Sequence, residues 1–125
     1  MHRVLLRETV IDVPAAELTE AARFWAEALA AQARPVAAHR EFVALDHPAA
    51  LSVIGLQGLA SGPARLHLDL ETDDVEAEVR RLVGLGAREL RRHRSWVVLG
   101  DPSGIEFCVV PAESPDFAER ARTVS

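Results

Sequence analysis

The order of structural signals in this chain repeats, and a repeat limits the fold before any residue is given a role. Residues 3 to 13 read as a strand ending at Pro14, and residues 17 to 31 as a helix. The helix reading rests on Leu18, Ala21, Ala22, Trp25, Ala28 and Leu29, which recur at three- and four-residue spacings. Three short β-like runs follow at 34 to 39, 41 to 45 and 51 to 57, the last two parted by the turn Asp46-His47-Pro48. After a linker-like stretch the order returns. Residues 65 to 71 read as a strand, and 73 to 85 as a helix with Val75, Val79, Leu82 and Val83 on its apolar stripe. Asp73 or Asp74 supplies the N-cap and Gly86 ends the helix. Further β-runs at 87 to 91, 95 to 99 and 104 to 110 complete the second half, and Asp101-Pro102 echoes the earlier turn. The tail, 115 to 122, reads as a short exposed helix.

The stretch 65 to 71 alternates. Leu66, Leu68 and Leu70 fall on one side of a strand and Arg65, His67, Asp69 and Glu71 on the other, so one face is expected on a core and one carries titratable groups. Near the end, Ile105, Phe107 and Val109 alternate with Glu106 and Cys108. If these strands meet in one sheet, His67 and Glu106 look into the same cavity.

The chain is expected to form one domain over residues 1–125, with a first module at about 3–57, a linker at 58–63, a second module at about 64–111 and a tail at 112–125. A net charge of −5 argues against a nucleic-acid partner, which needs a basic footprint. No apolar run is long enough to span a membrane. Arg7 and Glu8 interrupt any secretory apolar region, so a cytoplasmic location is expected. The single cysteine, Cys108, excludes an internal disulfide and a Cys-rich zinc site, and reads as an inert core thiol.

Several motifs together resemble the vicinal oxygen chelate superfamily, nearest to its glyoxalase-like domains. They are the two βαβββ halves, Phe24-Trp25, His67-Leu68-Asp69, Leu85-Gly86-Ala87, and the run from Asp101-Pro102-Ser103-Gly104 to Ile105-Glu106-Phe107. The resemblance implies an α+β fold whose two modules line a cup, a small organic ligand, and a homodimer. Metal-dependent relatives (lyases, dioxygenases, isomerases) hold a divalent ion with residues from the first and last strand of each half. Metal-free relatives of the bleomycin-resistance type sequester a ligand in the same cup.

Carried over residue by residue, the resemblance places His67 and Glu106 at two metal-ligand positions. Aligning Val10-Ile11-Asp12-Val13 with Asp69-Leu70-Glu71-Thr72 sets Glu8 opposite His67, and aligning His47-Pro48 with Asp101-Pro102 sets Ser52 opposite Glu106. The expected metal set is therefore Glu8, His67 and Glu106, suited to Mn, Fe, Ni or Zn, with Ser52 a poor cation donor. Glu106 is also the candidate catalytic carboxylate, and Trp96, Asp69 and Ser52 the candidate ligand contacts. Three readings stay open: Lewis-acid chemistry on vicinal oxygens, a metal-free binding protein in which His67 and Glu106 pair or hold a water, or a dimeric interaction protein whose cup is vestigial. Glyoxalase I activity itself is not expected, since a first-half ligand is missing and nothing marks a glutathione site. Trp25 reads as core packing, and Trp96 either packs on a helix or lines the cup. The cluster 91 to 94 reads as a solvated hairpin. His39, His47 and His93 read as surface residues, and His2 as disordered.

Overall fold

The computed structural model describes residues 1–28, 31–46, 53–102 and 104–125. These form two compact units, Glu8–His67 on the one hand and Met1–Arg7 with Leu68–Ser125 on the other. The chain is α+β, a mixed sheet with few helices. Strand β1 (His2–Pro14) leads through a 3-10 turn (Ala15–Glu17) into helix α1 (Leu18–Ala28). Strands β2 (Gln32–Val36), β3 (His39–Asp46) and β4 (Val53–Leu59) follow. Within Glu8–His67, β1 runs parallel to β4, β4 antiparallel to β3, and β3 antiparallel to β2. Helix α1 covers one side of these strands. Ala22 packs with Leu45 and Leu56, and Ile11, Leu18, Trp25 and Val43 close around them, so Trp25 is the core residue its spacing suggested. Strand alternation leaves Glu8, Val10 and Asp12 on the side away from α1.

Sequence and structure differ in detail here. Strand β4 runs through Leu59, so residues expected at the start of a linker lie in the sheet. His47, Pro48 and Ser52 lie outside the described residues.

In the second unit, β5 (Arg65–Thr72) leads to α2 (Val75–Gly84), and β6 (Arg88–Arg92), β7 (Val97–Gly100) and β8 (Glu106–Pro111) follow. Strand β5 runs parallel to β8 from Leu68 onward, β8 antiparallel to β7, and β7 antiparallel to β6. Val79 of α2 packs on Val97, Leu99 and Val109, with Val75, Leu82 and Phe107 around them. Asp74 is the N-cap, accepting from the Ala77 amide at 2.9 Å. Asp73 instead turns to Arg3, taking its amide at 2.8 Å and its Nε at 2.9 Å.

Two expectations fail. The apolar face of β5 was expected in the core, yet Leu66 is 62% and Leu68 39% exposed, while His67 and Glu71 are buried. The reason is coverage: the buried cluster beneath α2 draws on β7 and β8 and contains no residue of β5. His2 was expected to be disordered, yet it is buried, with Nε2 2.5 Å from Glu78 Oε2. A short helix α3 (Phe117–Arg120) and a strand β9 (Arg122–Val124) account for this. Strand β9 pairs antiparallel with residues His2, Arg3 and Val4, and the Arg3 guanidinium lies 5.2 Å from the centre of the Phe117 ring. The tail therefore holds the start of β1 in place.

Gly86 follows α2 with φ +115°, the Gly86 amide bonding Val83 O and the Ala87 amide Leu82 O, each at 3.0 Å. This paired bond pattern closes a helix only when the residue after its cap adopts a left-handed conformation. An added β-carbon would meet only Pro102 at an ordinary 3.5 Å, so the cost of a substitution is conformational. Gly86→Ala should lower unfolding free energy by about 1 kcal/mol, read by chemical denaturation.

Candidate functional site

Asp12 sits mid-strand between Ile11 and Val13 and is fully buried. A carboxylate in such a place must be hydrogen-bonded or it destabilises the fold. Asp12 Oδ2 lies 2.6 Å from His67 Nδ1 and accepts from Arg65 Nε at 3.3 Å. Its other oxygen, Oδ1, has no hydrogen-bond partner among the described residues. His67 is itself 9% exposed. Because a carboxylate only accepts, this contact sets an Nδ1 hydrogen of His67 toward Asp12. Sequence reading missed Asp12 as a site residue. Its one local signal was a lone acid within the apolar run Val10-Ile11-Asp12-Val13.

Glu8 lies on the same side of β1 as Asp12, four residues earlier. A β-carbon at Gly55 of β4 would overlap the Glu8 carboxylate, so glycine there leaves room for that side chain. The ladder also corrects the expected counterpart of Glu106. Asp12 pairs with Gln57 and Glu71 with Val110, so Glu106, four residues before Val110, corresponds to Val53 and not to Ser52. Val53 offers no donor atom.

Asp69 stands opposite Cys108 in the β5–β8 ladder, and alternation puts His67 on the same side of β5 as Asp69. An imidazole, a carboxylate and a thiol are thus distributed along β5 and its ladder partner. Cys108 is half-buried on the side away from α2 and is not the core thiol expected. Glu106 Oε1 accepts from Arg91 Nη2 at 3.1 Å. Trp96 lies just before β7 and is 39% exposed. It stacks on the His93 ring at 4.3 Å and 14°. His39, as expected, is exposed.

Glu71 occupies in β5 the place of Asp12 in β1 and is equally buried. Its Oε2 accepts from the Glu113 amide at 2.6 Å and the Ser114 amide at 2.8 Å. Ser114 Oγ donates to Oε1, and Arg7 Nη1 lies 3.5 Å from Oε2. Burial pushes this carboxyl up, but the three hydrogen bonds and the nearby arginine outweigh burial and hold it below its ordinary value of 4.5.

The family model of the glyoxalase-like domain matches residues 8–110. The chain belongs to that family. Solved structures share the fold of this glyoxalase-like domain. Methylmalonyl-CoA epimerase from Mycobacterium tuberculosis is 18% identical over 91% of each chain, with a TM-score of 0.60. A variant of the Streptomyces coelicolor epimerase, in complex with 2-nitronate-propionyl-CoA, is 16% identical over 87% of this chain and 97% of that one, with a TM-score of 0.59. A glyoxalase/bleomycin resistance protein/dioxygenase superfamily member from Vibrio splendidus 12B01 is 16% identical over 86% of this chain and 98% of that one, with a TM-score of 0.54. At such identities the likeness shows the fold and nothing finer. No curated protein sequence matches the domain. Among the described residues, no helix is long and apolar enough to cross a membrane.

The superfamily implies a divalent cation, and the donor chemistry here fits one. Metal-binding imidazoles commonly donate their second ring nitrogen to a carboxylate, as His67 does to Asp12.

Replacing Glu71 tests how far the buried acids support the domain. A carboxyl depressed in the folded state adds stability above its unfolded value and loses it as pH falls through the folded value. Glu71→Gln should therefore cost about 2 kcal/mol near neutral pH, and the gap from wild type should narrow as pH drops below 4.5 in urea titrations.

Proposed function

We propose that this glyoxalase-like domain binds a small organic ligand bearing neighbouring oxygen atoms, with His67 as its central polar contact. The observation that carries this reading is the buried His67–Asp12 pair at 2.6 Å. A histidine so held has its ring fixed in orientation, which suits it to contact a ligand or a cation. When bound, Mn, Fe, Ni or Zn would supply Lewis acidity, polarising the ligand oxygens. His67 would be its imidazole donor, and Glu8, on the same side of β1 as Asp12, an oxygen donor. Arg65 adds positive charge beside the buried Asp12, offsetting its cost of desolvation.

A second reading, metal-free sequestration of the bleomycin-resistance type, is favoured by one contact. Glu106 was expected as metal ligand and proton shuttle, and its carboxylate is engaged by Arg91 at 3.1 Å. In that reading Trp96 supplies a ring for the ligand to lie against, and Asp69 a hydrogen-bond acceptor. A homodimer completes the proposal and rests on the family resemblance alone.

Calorimetric titration with Mn, Ni and Zn salts, beside thermal-shift screening of diols, catechols, 2-oxo acids and CoA thioesters, separates the two readings. Uptake of a cation that falls at least tenfold in His67→Ala supports the metal reading. Ligand binding without cation uptake, again weakened in His67→Ala, supports sequestration. If nothing binds, or if His67→Ala binds as wild type does, the proposal is wrong.

A further inference from the structure

Gly55 lies buried inside β4, with Val10 of β1 and Ala44 of β3 as its ladder partners. Glycine weakens a strand interior, because it loses more backbone freedom than any other residue and packs no side chain. Its backbone is not left-handed, so conformation does not demand a glycine here. Space does. A β-carbon at this position would overlap Glu8 Oε1 and stand 3.3 Å from Glu8 Cδ, whereas the next atom, Val43 O, lies at an ordinary 3.5 Å. The ladder partner of Glu8 is Val53, so its carboxylate reaches two residues along β4 to lie over Gly55. The repeat supplies a second observation. Gln57 opposite Asp12 and Val110 opposite Glu71 hold equivalent places, so Gly55 corresponds to Cys108. The same place in β8 carries a side chain, and the ladder itself does not require glycine there.

We infer that Gly55 is a positioning residue for the site: lacking a side chain, it gives the Glu8 carboxylate a seat against β4 and so fixes where that carboxylate meets a cation or a ligand oxygen. This inference rests on the proposed role of Glu8 as an oxygen donor and names the residue that sets its place. What stands in the way of a side chain at 55 is the end of a flexible glutamate and not main chain. A methyl group there displaces the carboxylate and leaves the strand intact. Gly58, three residues further along β4, is the contrast. A β-carbon there would stand 3.1 Å from Ala15 Cα and 3.4 Å from Leu18 Cδ2, so that glycine serves the close approach of the chain entering α1.

The test begins with urea denaturation of the ligand-free protein as wild type, Gly55→Ala, Glu8→Ala and the pair. In the Glu8→Ala background, Gly55→Ala should raise the midpoint, since alanine suits a strand interior better than glycine. With Glu8 present the same substitution should raise it less, or lower it, because the carboxylate must leave its seat. Equal shifts in the two backgrounds overturn the inference. Titration with manganese chloride follows. Gly55→Ala should weaken Mn uptake by about tenfold where Glu8 is present and leave it unchanged in Glu8→Ala. Gly58→Ala should lower the midpoint and spare Mn affinity, which separates a lost seat from a weakened strand. Mn affinity that is indifferent to Gly55→Ala, or that falls equally in both backgrounds, overturns the positioning role. Coupled midpoints with no Mn uptake by the wild type would sink the metal reading of the function and leave Gly55 as the seat of Glu8 toward a ligand.

Discussion

Burial of an acid inside a sheet is the constraint on which the rest of this structure turns. Two carboxylates, Asp12 and Glu71, are removed from water altogether. Each then requires hydrogen-bond donors close by, because a bare charge in an apolar interior is far more costly than any single packing contact. The chain meets that requirement in two ways. Around Glu71 the donors are largely main-chain amides, which fix the turn after β8. Around Asp12 they are side chains of β5, which makes the acid part of the chemistry of an imidazole.

The helices set which side of each unit is available for that chemistry. Helix α1 packs its stripe on Leu45 and Leu56, and α2 on Val97, Leu99 and Val109. Since strand side chains alternate, every residue one step out of register from these faces away from its helix. Glu8, Asp12, Asp69, Glu106 and Cys108 all fall there. The apolar cores and the polar candidates are thus the two halves of one pattern, and a shift of one residue would exchange them.

Much of this was legible in the sequence, because it is written locally. The 3.6-residue stripe of α1, the acidic cap and glycine stop of α2, and the repeated order of elements all depend on neighbours within a few residues. The family resemblance followed from the same ordered motifs. What escaped was written at long range. Asp12 looked like an irregularity in an apolar strand, since its partner His67 lies 55 residues away. The exposure of Leu68 depends on which strands α2 covers, which alternation cannot report. His2 is buried because a three-residue strand returns from the tail to cover it, and so short a run has no pattern to recognise.

The central claim is that Asp12 acts through His67 and has no separate part in binding. A double-mutant cycle on cation or ligand affinity, using Asp12→Asn, His67→Ala and the pair, measures this directly. The account predicts that Asp12→Asn weakens binding in the wild-type background and changes nothing once His67 is gone. Equal losses in both backgrounds would contradict it, and would make Asp12 an independent contributor to the site.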